Sequence, residues 1–142
     1  MQCSQRIRSY SMTCCLLAIV ALLPATLARA VELTEAEATL VAKTNEMRAR
    51  HGLPPLMVSA QLMESARKHA IWMASQGSLT HTSEAVAENI AWGQADATDA
   101  VESWMNSSGH RANILNSQYT EIGVAGYFVR GRRIYWCQQF RN

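Results

Sequence analysis

After residue 30 the apolar positions first repeat with a helical period and then with a strand period. Thr34-Glu35-Ala36-Glu37 has the form of a capping box, and Leu40, Val41, Thr44 and Met47 follow at helical spacing. Gly52 can take the left-handed conformation that ends a helix, and Pro54-Pro55 prevents its restart. A second helix is predicted after Ser59, with Leu62, Met63, Ala66, Ala70 and Met73 as its inner stripe and Gly77 as its end. Ser78 to Glu88 is polar and reads as a loop, and Glu88–Gly93 as a short strand. Asp96 is the expected N-cap of a third helix, whose Ala97, Ala100, Val101, Trp104 and Met105 form one apolar face. Asn106-Ser107-Ser108-Gly109 breaks it, and a further short helix is expected over His110–Leu115.

The C-terminal stretch changes period. Ile122, Val124 and Phe128 alternate with Gly123, Ala125 and Tyr127, and Ile134, Tyr135, Trp136 and Phe140 follow the turn Arg130-Gly131-Arg132. Two such runs around a glycine-containing turn predict an antiparallel hairpin. Helices followed by antiparallel strands give an α+β class, with the helices packed on the sheet.

The first thirty residues do not fit this scheme. Arg6 and Arg8 precede an apolar run from Leu16 to Leu27, which ends at Ala28-Arg29-Ala30. A basic start, a short apolar middle and a small-residue site describe a secretory signal peptide over residues 1–30, because the run is shorter than the roughly 20 residues that span a bilayer. Residues 31–142 are then expected to form one exported, soluble domain without a transmembrane segment.

This division changes the composition. The chain has 142 residues, 13 Lys+Arg, 11 Asp+Glu and four Cys, with a net charge of +2. Arg6, Arg8, Arg29, Cys3, Cys14 and Cys15 all fall in the first thirty residues, so the remaining domain carries a net charge of −1 and one thiol, Cys137. An internal disulfide is excluded for that domain, and nucleic-acid binding loses its compositional support. Arg130, Arg132 and Arg133 are too small a basic patch to restore it.

His81, Glu88 and His110 are the candidate chemical groups, each in a loop or at the end of an element. Two imidazoles and a carboxylate are suitable ligands for zinc or another divalent cation. Spacing alone favours the plainer reading, in which His81 and His110 brace loops through ordinary hydrogen bonds and Glu88 caps a backbone amide. His51, in the last turn of the first helix, suits the helix dipole. His69, beside Arg67 and Lys68, reads as a packing or surface residue. Ser107 and Ser108 lie near His110 without a nucleophile-elbow motif, and Cys137 reads as a buried, inert thiol in a strand.

Eight segments in order carry a resemblance. They are Asn45-x-x-Arg48, Gly52 to Leu56, Ala66-x-x-His69-Ala70, His81, Glu88-Asn89-Ile90-Ala91, Trp104 to Ser107, Gly109 to Leu115, and Tyr135-Trp136-x-Gln138-x-Phe140. From about residue 38 to 140 the chain resembles the CAP superfamily of cysteine-rich secretory proteins, venom antigens and plant pathogenesis-related proteins, whose common unit is the SCP domain, in its bacterial secreted branch. The resemblance implies an α-β-α sandwich with a small antiparallel sheet of about three strands between helical layers. It also implies a central cleft in which His81, Glu88 and His110 match three of four groups. Ser107 stands where the second glutamate is found in eukaryotic members, and fewer carboxylates weaken a metal site.

Three functions follow from the resemblance. The first is a non-catalytic binding module whose cleft holds a divalent metal or small ligand, with lipid or sterol on neighbouring apolar surface. The second is a metal-dependent hydrolase or protease with His81, Glu88 and His110 as catalytic groups. The third is a structural protein that contacts cell-envelope components. The missing carboxylate and the lack of an evident nucleophile favour binding. The expected setting is extracellular or periplasmic, and the expected state is a monomer. The four tryptophans, Trp72, Trp92, Trp104 and Trp136, are offered to a core that has no disulfide support.

Overall fold

A computed structural model describes residues 31–129 and 133–142. Residues 1–30, where a signal peptide is expected, and residues 130–132, where the hairpin turn is expected, lie outside the described residues. Thr34 caps the first helix, α1 (Glu35–Arg50), and both bonds of the capping box form. Glu37 has a second task, pairing with Arg67 at 2.7 Å. This contact ties α1 to the second helix, α2 (Ala60–Gln76). Gly77 ends α2 at φ 61°, in the left-handed region that costs glycine nothing. Asp96 caps α3 (Ala97–Met105) by accepting from the amides of Thr98 and Asp99. The last helix, α4, covers Ser108–Ile114 and so begins two residues earlier than its sequence pattern suggests.

The strands are β1 (Met57–Val58), β2 (Ala87–Trp92), β3 (Glu121–Phe128) and β4 (Ile134–Arg141). They form one sheet in the order β1-β3-β4-β2. The hairpin partners β3 and β4 are antiparallel, with Gly123 opposite Gln139 and Ala125 opposite Cys137. β2 joins the other side of β4, with Glu88 opposite Gln139. The sheet has four strands rather than three, and β1 runs parallel to β3, so it is mixed. Two residues, one of them the exposed Met57, are too few to show an alternating pattern. β1 is held by backbone bonds from Met57 to Thr120 and from Ser59 to Ile122.

The layers are those of an α-β-α sandwich. Helix α2 lies across β3 and β4 on one face, while α1, α3 and α4 pack together on the other. Ala66, Ala70 and Met73 of α2 meet Ile90, Ala125, Tyr135 and Cys137. Leu40, Val101, Trp104, Ile122, Val124, Trp136 and Phe140 form the core on the opposite face. The small residues bring α2 close to the sheet, most of all at Gly123, where an added Cβ would lie 2.1 Å from the Leu62 carbonyl carbon.

The tryptophans divide. Trp104 and Trp136 are buried, but Trp72 and Trp92 are 45% and 37% exposed and do not serve as core. Trp92 is covered in part by Arg133, whose guanidinium carbon sits 4.9 Å from the ring centroid. The buried Trp104 donates its indole N–H to the Ile90 carbonyl at 3.2 Å, which locks α3 onto β2.

Candidate functional site

Strand β2 is at the sheet edge, so groups from both helical layers reach it. Glu88 near its start points to the α2 side, and only 3% of its side chain is exposed. A carboxylate this buried needs donors, and the fold supplies them from distant parts of the chain. Oε1 accepts from His81 Nδ1 at 2.9 Å and from the Thr82 amide at 3.0 Å. Oε2 accepts from Gln139 Nε2 at 3.0 Å and from the Cys137 thiol at 3.6 Å. His69 Nε2 lies 3.6 Å from the same oxygen while bonding to the Thr80 carbonyl at 2.8 Å.

His110 comes from the other layer, on α4. Asn89 Nδ2 donates both to the His110 carbonyl and to Gln138 Oε1, each at 3.1 Å. Gln138 donates in turn to the Thr44 hydroxyl of α1 at 2.6 Å. Asn113 donates to Asn89 Oδ1 and to the Glu88 carbonyl. This buried chain fixes α4, and with it His110, against β2. Burial and then the nearby charge of His81 hold the His110 pKa below the ordinary imidazole value. The His110 ring is therefore neutral at neutral pH and keeps a lone pair.

The structure thus brings His81 and Glu88 into direct contact, with His110 within electrostatic reach. Ser107 is only the N-cap of α4, and its side chain makes no capping bond. Cys137 is fully buried, and burial followed by the charge of Glu88 pushes its thiol well above the ordinary range. The expectation of an inert thiol therefore has a physical cause. We predict that a disulfide reagent labels Cys137 only at the rate of unfolding, and fast labelling of the native protein would contradict this.

Four participants carry little signal in sequence. His69 reads there as a packing or surface residue, yet it sits beside Glu88 because α2 runs past the 78–86 loop. Asn89, Gln138 and Gln139 are polar residues inside otherwise apolar strands. Both faces of β4 are covered, so any amide there must find partners, and that is the signal they give.

A zinc site that keeps an open position needs three protein ligands. Both oxygens of Glu88 are already bonded to protein donors, and no three His, Cys, Asp or Glu groups among the described residues are placed to hold one metal ion. The set His81, Glu88 and His110 does not fit a three-ligand centre as it stands.

Beside Glu88, a groove of about 430 Å³ is lined by His69, Trp72, His81, Thr82 and Ser83. The His81 side chain is 60% exposed there.

Comparison with known proteins gives a family and a set of relatives. The model of the cysteine-rich secretory protein (CAP) family matches residues 41–140. The uncharacterized protein YkwD of Bacillus subtilis is 37% identical over 121 residues, covering 73% of this chain and 46% of its own length. Among solved structures, an extracellular SCP-domain protein of Bacillus anthracis aligns with TM-score 0.67 and 28% identity over 79% of this chain and 45% of its own. An outer surface protein of Borrelia burgdorferi shares the fold at TM-score 0.68 and 19% identity, over 79% of this chain and 96% of its own. The chain spans about half the length, or less, of the curated relatives it matches.

Proposed function

The chain belongs to the cysteine-rich secretory protein family, and from that premise we propose that it is an exported, non-catalytic binding module whose cleft at His81, Glu88 and His110 takes a small ligand. Export is supported by the signal-peptide pattern of residues 1–30 and by the extracellular relative of Bacillus anthracis.

One observation carries the binding reading: Glu88 is saturated by protein donors. A general base must reach the proton that it removes, and a buried carboxylate with both oxygens occupied does not. Its role is to hold His81. Because the hydrogen bond to Glu88 occupies Nδ1, Nε2 is the ring nitrogen of His81 left for a ligand. The hydrolase reading has no observation in its favour, since the thiol is inert and Ser107 is a helix cap. A divalent cation would find two imidazoles, and we assign it no step. A lipid tail or sterol would go instead to a second depression of about 390 Å³, where Ala36, Ala97, Ile134 and Trp136 supply apolar surface.

Native mass spectrometry of protein purified from its own source tests this. We expect a retained small ligand that His81→Ala and His110→Ala both release, and no stoichiometric zinc at micromolar metal. Glu88→Gln should weaken ligand retention by disordering His81, and should lower stability by about 1–3 kcal/mol because an amide N–H then faces donors. Peptide or ester turnover that disappears in Glu88→Ala would overturn the binding reading in favour of hydrolysis. Stoichiometric zinc lost in the same variant would restore the three-ligand site.

A further inference from the structure

The groove beside the cleft is built for a particular kind of ligand. Its floor is Trp72, which lies outside the core with its ring stacked on His69, centroids 5.6 Å apart and planes 12° from parallel. His69 is itself fixed by the Thr80 carbonyl and the Glu88 carboxylate, so the indole is held in place rather than swinging free. Trp72 is 45% exposed, so part of the indole stays open to solvent.

Around this aromatic surface stand hydrogen-bonding side chains. They are the hydroxyls of Thr82 and Ser83 and the outward Nε2 of His81. Among the described residues, the lining contains no Lys or Arg to attract a phosphate or sulfate, and no aliphatic side chain to receive an acyl tail. A flat apolar face ringed by hydrogen-bonding groups matches one chemical class closely. A pyranose ring presents a face of C–H groups that lies against an indole, and its equatorial hydroxyls both donate and accept. The groove volume, about 430 Å³, accommodates a ring of that size and lies within the usual range for small-ligand sites.

We propose that Trp72, His81, Thr82 and Ser83 form a subsite for one neutral pyranose unit of a glycan. The sugar stacks on Trp72, and one of its hydroxyls hydrogen-bonds with His81 Nε2. Thr82 is anchored from below, because its amide donates to Glu88 Oε1, so its side chain is presented by the same carboxylate that orients His81. The subsite rests on the proposed binding role of the cleft only through His81. Trp72 and Ser83 lie outside the set of His81, Glu88 and His110.

The test uses the purified protein, ¹⁵N-labelled, with triacetylchitotriose and cellotriose as probes up to about 10 mM, the range of a weak single-ring site. A saturable shift of the Trp72 indole N–H is expected with at least one of them. Trp72→Ala should weaken binding about tenfold or more, and Trp72→Phe, which keeps an aromatic face, should recover part of the loss. Trp72 is on the outer side of α2, so both variants should fold, and an unchanged amide spectrum elsewhere checks this. His110→Ala should leave saccharide binding unchanged, which separates this subsite from the cleft. The proposal is overturned if neither sugar shifts the indole, if binding survives Trp72→Ala, or if His110→Ala removes binding while Trp72→Ala does not. The first two results leave the cleft reading intact.

Discussion

Gly123→Ala is expected to be the most damaging single-methyl change in the chain. The new Cβ would meet the Leu62 carbonyl carbon at 2.1 Å, its oxygen at 2.3 Å and its Cβ at 2.5 Å. Two of these atoms are helix backbone, so no rotamer change relieves the clash. Helix α2 would have to lift from the sheet, loosening Ala66, Ala70 and Met73 from Ala125 and Cys137. Overpacking usually costs about 1–3 kcal/mol, and a clash with fixed backbone belongs at or beyond the top of that range. Against a total stability of about 5–15 kcal/mol this is a large fraction. Urea unfolding reads it as a fall in midpoint. Gly109→Ala is the control, because Gly109 lies within α4 and an added Cβ meets nothing within 4 Å. That change should be neutral or stabilise by about 0.5–1 kcal/mol. Equal losses at the two positions would contradict the account.

Arg48→Met is expected to have a comparable effect for an electrostatic reason. The Arg48 side chain is fully buried, and carbonyl oxygens rather than a carboxylate receive its guanidinium. Nε donates to Pro54 at 2.9 Å, one terminal nitrogen donates to Ile114 at 2.8 Å and to Asn116 at 2.9 Å, and the other to Tyr119 at 3.3 Å. Burial pushes its pKa down from the ordinary value, yet the planar fork remains charged and ties together the end of α1, the C-terminus of α4 and the loop leading to β3. Methionine fills much of the volume but leaves four carbonyls without their donor. Breaking a buried charged interaction of this kind costs about 3–5 kcal/mol. Lysine cannot reach four carbonyls from one nitrogen, so Arg48→Lys should also destabilise, though less. Hydrogen exchange should show α4 opening first in both variants, because its last turn loses its cap. Exchange that rises uniformly, with α4 no worse than α2, would count against the assignment.

Local signals in the sequence locate most of the scaffold. The Thr34–Glu37 box, Gly77 and Asp96 each mark a helix end through bonds made within four residues, so sequence spacing and structure agree there. The hairpin is legible from its alternation. β1 is not, since a two-residue strand exists only because Thr120 and Ile122 come alongside. The site follows the same rule. His81 and Glu88 are seven residues apart and readable as a pair, whereas Gln139 reaches Glu88 across 51 positions. The role of Glu88 as a hub, and the place of His69 beside it, arise from long-range packing that no spacing encodes. Trp72 and Trp92 depart from expectation for a related reason: aromatic residues at helix and strand positions default to the core, and only the finished surface shows that these two remain outside it.

The bonds that Trp104 and Asn113 make to β2 have a further consequence for behaviour in a crowded solution. β2 is an edge strand of six residues, long enough to template pairing with a strand from another molecule. Its pairing with β4 leaves the carbonyls of Glu88 and Ile90 facing outward, and these are the two oxygens that Asn113 and Trp104 occupy. An incoming strand would find its acceptors already taken and a helical layer packed over them. The contacts that hold α3 and α4, and so His110, in place therefore also guard the open edge of the sheet against self-association.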